Sequence, residues 1–243
     1  VKLENIATLW RDWLNVFRAQ DLQKAMLEHW PGDRNITERI SYSYPPVFQP
    51  GYVGNRYGTG RRILFLGYNP GEGSSPSDVQ ADTTLSQRLA EFADGRLSFK
   101  EYSCFLSGQV FLWNIYRNMG IFRECGATRL SLIGENVRPS IETVALLNAF
   151  PFKTRKNYKA APLVNGPLAK DMWNDFTMET LRILRPEIIV HYPKLPRVRR
   201  PELKVLCSNT IEVWHPSLNS STRPVELSEK WKPVTDALFR LDS

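Results

Sequence analysis

Two asparagines and a histidine stand directly behind short apolar runs, and their side chains suit work on a planar, anionic leaving group. Asn69 lies in GYNPGEG (67–73), after ILFLG (63–67). Gly and Pro on either side force a tight turn out of the preceding segment and aim the amide outward. A carboxamide oxygen can orient a water without deprotonating it fully, which suits a reaction whose transition state already carries positive charge. An Asn-Pro-Gly sequence is also an ordinary turn, and that reading stays open. Asn148 interrupts the apolar run VALLNAF (144–150). A buried amide must find partners or cost roughly 2–7 kcal/mol. It either bonds the backbone or offers a donor and an acceptor to the edge of a pyrimidine. His215 opens HPSLNSS (215–221). Its imidazole either caps the chain locally or donates to the oxygen of a departing base anion. Removing one donor of that kind typically slows a reaction ~100–1,000-fold.

The groups around these three suit a phosphodiester chain. Backbone N–H groups and the hydroxyls of Ser217, Ser220, Ser221 and Thr222, with Asn219 between them, suit phosphate oxygens. Leu218 suits a wedge filling the space left by an extruded base. Lys153, Arg155 and Lys156 belong to KTRKNYK (153–159), directly after Asn148, and a second basic run, KLPRVRRPELK, spans 194–204. Arg61 and Arg62 precede the first apolar run. The formal charge of +7 and pI near 9.4 favour a polyanionic partner.

Other chemistries find little support. The three cysteines, Cys104, Cys125 and Cys207, are far apart, and the three histidines form no HExxH or HxH pattern, so no metal is expected. GxxxxGK[ST], GxGxxG and GxSxG are all absent, which argues against a nucleotide phosphate loop, a dinucleotide cofactor and a serine hydrolase. No cofactor is expected. No apolar run approaches the 18 or more residues of a membrane span, and no secretory signal is apparent.

The elements that must position these residues alternate between strand and helix. Residues 2–19 place Leu3, Ile6, Leu9, Trp10, Trp13, Leu14 and Phe17 at helical spacing, and 21–30 form a second short helix. The Pro/Gly/Tyr-rich stretch 41–60 reads as an ordered loop whose aromatics pack inward or stack on bases. Strands are predicted at 63–67, 144–150, 187–192, 203–207 and 210–214, and helices at 83–94, 99–118, 168–185 and 226–241. This alternation predicts an α/β fold, a three-layer α/β/α sandwich around a small central parallel sheet. The chain is expected to be one domain over 1–243, with residues 1–40 as an N-terminal helical extension. Ligands of such folds sit beyond the carboxyl ends of the strands. That is where Asn69, Asn148 and His215 all fall.

At this point the segments resemble a known family. RRILFLGYNPGEG (61–73), LLNAFPF (146–152) and WHPSLNSS (214–221) resemble, in order, the three motifs of the uracil-DNA glycosylase superfamily, the first in its GxNPG form. The match is nearest to the single-strand-selective monofunctional uracil-DNA glycosylases, which share an NRY-type stretch and an S-G-x-x-x-W segment like Ser107-Gly108 to Trp113. The resemblance runs over about residues 41–231. It implies a monofunctional, metal-independent enzyme that flips a damaged or modified pyrimidine out of DNA and hydrolyses its N-glycosidic bond, leaving an abasic site. Asn69 would position the water, Asn148 would recognise the base and His215 would stabilise the leaving anion. Backbone around Gly67, Tyr68 and Gly71 would shape the pocket. A monomer working on DNA in a bacterial cytoplasm or a eukaryotic nucleus is the expectation.

The sequence departs from the family at two places. GSSPSDVQADTTLSQ (73–87) is polar, with no aromatic before Phe92 to stack on a flipped base. Leu218 and Asn219 stand where close relatives carry a basic wedge. Both changes imply a roomier, more polar pocket, so a bulky modified cytosine of phage DNA, removed in anti-phage defence, is an alternative substrate. A non-catalytic DNA-binding or damage-sensing relative is the other alternative. No lysine falls within the three motifs, so no lyase step is expected.

Overall fold

In the computed structural model the run ILFLG forms strand β2 (Ile63–Gly67), with parallel neighbours on both sides. Such a central strand has no polar face, which is why its sequence is continuously apolar. The structure describes residues 3–18, 21–40, 48–68, 79–107, 142–153, 166–191 and 200–212. Among these, the sheet has five strands in the order β1-β3-β2-β4-β5. They are β1 (Tyr52–Val53), β2, β3 (Val144–Asn148), β4 (Ile188–His191) and β5 (Thr210–Glu212). Strands β3, β2, β4 and β5 run parallel, and β1 is antiparallel to β3 at one edge. The fold is α/β, with a mixed, mostly parallel sheet.

That antiparallel edge corrects two expectations at once. The sheet is not wholly parallel, and part of the 41–60 stretch is strand rather than loop. Tyr102 Oη donates to Gly51 O at 3.0 Å and Ser103 Oγ to Val53 O at 2.7 Å, so helix α4 (Phe99–Ser107) clamps the short strand in place. Phe48, Tyr52 and Tyr57 are buried, so these aromatics serve packing. A second correction concerns 203–207. Residues Arg200–Leu206 form a helix, α7, not a strand. Pro201 and Glu202 favour a helix start, and Leu203 and Cys207, four residues apart, share its buried face.

The N-terminal helices α1 (Leu3–Val16) and α2 (Leu22–His29) form as the apolar spacing predicts. Asp21 caps α2 by accepting from Lys24 N at 3.0 Å, which typically contributes about 1 kcal/mol. Ile6, Trp10, Leu14, Met26, Trp30, Ile36 and Ile40 belong to the same buried cluster as the sheet residues. Helix α1 packs on α3 (Val79–Ala93), on α4 and on the helical stretch that leads into β4.

That stretch consists of α5 (Pro167–Asp171), a π-helical segment (Met172–Thr177) and α6 (Met178–Leu184). Gly166 precedes it at φ 135°, ψ 157°, and offers no side-chain cap. The cap comes from far away. Asp33, 3 % exposed, accepts from Leu168 N at 2.9 Å and from Asn35 N at 2.8 Å. A Cβ at residue 166 would meet the two Asp33 carboxylate oxygens at 2.7 and 2.8 Å, so only glycine leaves room for this cap. Trp30 Nε1 donates to Asp171 Oδ2 at 2.8 Å at the other end of α5. Arg185, in the left-handed region at φ 49°, ends α6 before Pro186.

Residues 108–118 of the helix predicted at 99–118, and the helix predicted at 226–241, lie outside the described residues. Among the described residues, no helix is long and apolar enough to cross a membrane.

Candidate active site at the carboxyl edge of the sheet

Parallel register brings the ends of β2 and β3 together. Gly67 is the partner of Asn148, Leu66 of both Leu147 and His191, and His191 of Glu212. In-register neighbours in a parallel sheet project to the same face. Asn148 therefore stands over Gly67. A Cβ on Gly67 would collide with Asn148 Oδ1, well inside van der Waals distance. Glycine here is a clearance for the neighbouring amide, which spacing alone does not reveal.

The Asn148 side chain is partly exposed, and no hydrogen bond holds it among the described residues. Its backbone surroundings are firmly set. Ala149 N donates to Gly67 O at 2.9 Å and Phe150 N to Tyr68 O at 2.9 Å, carrying the pairing past the strand ends. The Tyr68 and Phe150 rings are both buried and lie 5.3 Å apart at 60°. They pack on one another just past the ends of β2 and β3.

Lys153 is 5 % exposed. Its ammonium is not laid on an open surface, as a phosphate-tracking lysine would be. The chain explains this: Gln49 N donates to Pro151 O at 2.8 Å and Phe152 bridges to Phe48, so residues 151–153 still hug the sheet edge. Arg61 and Arg62 are placed away from the candidate site. They lie at the amino edge, where Arg62 N donates to Glu187 Oε2 at 2.9 Å and Arg62 Nε to Arg185 O at 2.7 Å. Phe92, the first aromatic after the polar stretch 73–87, is fully buried and stacks on Tyr102 at 4.7 Å. It is core, not a surface for a base.

Of the site residues named from sequence, the structure brings Gly67, Tyr68 and Asn148 together. Asn69, Gly71, Arg155, Lys156, His215, Ser217, Leu218, Asn219, Ser220 and Ser221 lie outside the described residues. His191 went unnoticed in the sequence. It is 3 % exposed and ends β4 at the same edge of the sheet, while strand alternation puts it on the face opposite Asn148. The one polar residue at the end of EIIVHY was the signal available.

Among the described residues, no cluster of three or more His, Cys, Asp or Glu side chains is placed to hold a metal ion. No protein-family model matches the chain, and no curated protein matches it significantly.

Proposed function

We propose that the protein is a monofunctional DNA glycosylase, which extrudes uracil or a related pyrimidine from DNA and hydrolyses the bond between the base and C1′ of the sugar. The observation that carries this reading is Asn148. Its carboxamide sits at the carboxyl ends of the parallel strands β2 and β3, unclaimed by protein partners among the described residues, in a space that Gly67 keeps clear. A carboxamide so placed can accept from the N3–H of a pyrimidine and donate to its O4.

Chemistry follows from the motif order. Asn69 orients a water toward C1′. As the bond from C1′ to N1 breaks, its electron pair leaves with the base, and His215 donates a hydrogen bond to O2 where that charge collects. The water adds to C1′ and gives up a proton, and an abasic site remains. Phosphates track the HPS loop and the basic residues Arg155 and Lys156. The protein acts as a monomer on chromosomal DNA, in a bacterial cytoplasm or a eukaryotic nucleus.

The test is incubation with oligonucleotides bearing uracil, hydroxymethyluracil, thymine mismatches or modified cytosines, single- and double-stranded, with the freed base identified by mass spectrometry. Release that falls by orders of magnitude in Asn69→Ala and in His215→Ala, with DNA binding retained, is the expected result. No release from any substrate overturns the proposal, and tight binding to uracil DNA without release points to a non-catalytic relative.

A bulky modified cytosine is a second reading of the substrate. Burial of Phe92 in the core favours it, because the segment after the first motif then offers no ring of its own to close down on uracil.

A further inference from the structure

Thr177 has no part in the chemistry above, yet it reaches the candidate site. It is the last residue of the π-helical segment Met172–Thr177 and is 0 % exposed. Its Oγ1 donates to the carbonyl oxygen of Ala149 at 2.9 Å. Ala149 directly follows Asn148, and its own N–H is committed to Gly67 O. Ala149, the residue after Asn148, is thus held from two directions, by the sheet through its N–H and by the helix through its carbonyl. The pairing of β1 with β3 involves only Leu146 and Ala145, so Ala149 lies past the end of that ladder. A buried carbonyl beyond the strand pairing needs a donor, and Thr177 supplies one.

The neighbouring buried threonine does something else. Thr180 Oγ1 accepts from Trp10 Nε1 at 3.2 Å and so ties the same helical stretch to α1. Single-turn π segments recur at functional positions because the wider turn re-aims the side chains it carries.

We propose that Thr177 is a positioning residue for Asn148: its hydroxyl fixes the turn after β3 and so sets where the Asn148 carboxamide meets the base. The proposal rests on the reading of Asn148 as the base-recognising amide.

The experiment compares Thr177→Val, which keeps the shape and loses the hydroxyl, with Thr177→Ser, which keeps the hydroxyl, and with Thr180→Val, which loses a buried hydroxyl away from the site. A misplacement of about 1 Å can cost on the order of 100-fold in rate. We expect Thr177→Val to lower kcat/KM for base release about tenfold or more, and Thr177→Ser and Thr180→Val to stay within about twofold of the unaltered protein. In parallel, the Asn148 side-chain amide resonances, assigned by their loss in Asn148→Ala, move in Thr177→Val and stay put in Thr180→Val. If Thr177→Val does not fold, Thr177→Cys, of similar volume and a weak donor, is read in the same way. Unchanged kinetics and resonances in the hydroxyl-free variant, or equal damage in Thr177→Ser, overturn the proposal. Should the unaltered protein release no base, the glycosylase reading fails by itself, and the resonances still decide whether Thr177 positions Asn148.

Discussion

The two edges of the sheet are built differently. At the amino edge the polar groups around Glu187 are engaged with one another. Glu187 N donates to Arg62 O at 2.9 Å, Asn209 Nδ2 donates to Glu187 O at 3.2 Å, and the Glu187 carboxylate accepts from Arg62 N and faces the guanidinium groups of Arg61 and Arg62 at 3.8 and 3.6 Å. These bonds staple β2, β4 and the turn before β5 to one another. At the carboxyl edge the backbone is just as firmly paired, but among the described residues no partner engages the Asn148 carboxamide, which lies beside a glycine that makes room for it. An edge that satisfies itself adds stability. An edge that holds back a donor and an acceptor can serve a ligand, at the cost of leaving them without a partner until it arrives.

Exchanging the character of each edge tests that contrast. The largest effect is expected from Asn148→Ala. Base release should fall about 100-fold or more, while the melting temperature moves little, because no hydrogen bond to a described residue is lost. A large fall in Tm with release intact would show that the amide is structural after all. Next comes Gly67→Ala, whose added methyl must displace Asn148 Oδ1. Overpacking of this kind costs about 1–3 kcal/mol, visible by denaturant titration. Release should fall about tenfold, since a displaced amide still reads the base, though poorly. Normal release in that variant would detach Gly67 from the site.

At the amino edge the expected pattern reverses. Glu187→Ala removes two partly exposed ion pairs and a hydrogen-bond acceptor, and should destabilise by about 1 kcal/mol with base release unaltered. A rate that fell with it would couple the two edges. The smallest effect is expected from Tyr57→Phe. Burial pushes the Tyr57 phenol well above its ordinary pKa, so it stays neutral, and its hydroxyl is buried without a hydrogen-bond partner. Deleting an unsatisfied hydroxyl is expected to leave stability unchanged or raise it by up to about 1 kcal/mol. A clear loss in a thermal melt would show that the hydroxyl has a partner, a bound water included.

Much of this architecture is legible in the residues. ILFLG reads as a strand because a strand covered on both faces is apolar at successive positions, and the structure ends it at Gly67. Trp10 and Leu14 fall on one face of α1 because helical spacing put them there. What stayed hidden depends on neighbours distant in sequence. Two residues of β1 carry no alternation to read, and their strand state comes from β3 and from α4 behind them. The first four residues of ELKVLC alternate polar and apolar, as a strand would, and only the cover over Leu203 and Cys207 settles the segment as helix. In the site itself, residue type exposed Asn148, but the need for glycine at 67 and the reach of Thr177 are properties of register and of a π turn. A one-dimensional pattern encodes neither.

The carboxylate of Asp33 caps a helix through Leu168 N, 135 residues later in the chain. During synthesis the cap is therefore made long before the helix that needs it, and Pro167–Asp171 joins a waiting surface formed by Trp30 and Asp33. Trimming the first 33 residues to obtain a shorter protein would leave that helix without its acceptor and loosen the segment that carries Thr177. A recombinant fragment cut there should be expected to come out of the cell insoluble or protease-sensitive, however well it preserves the three motifs.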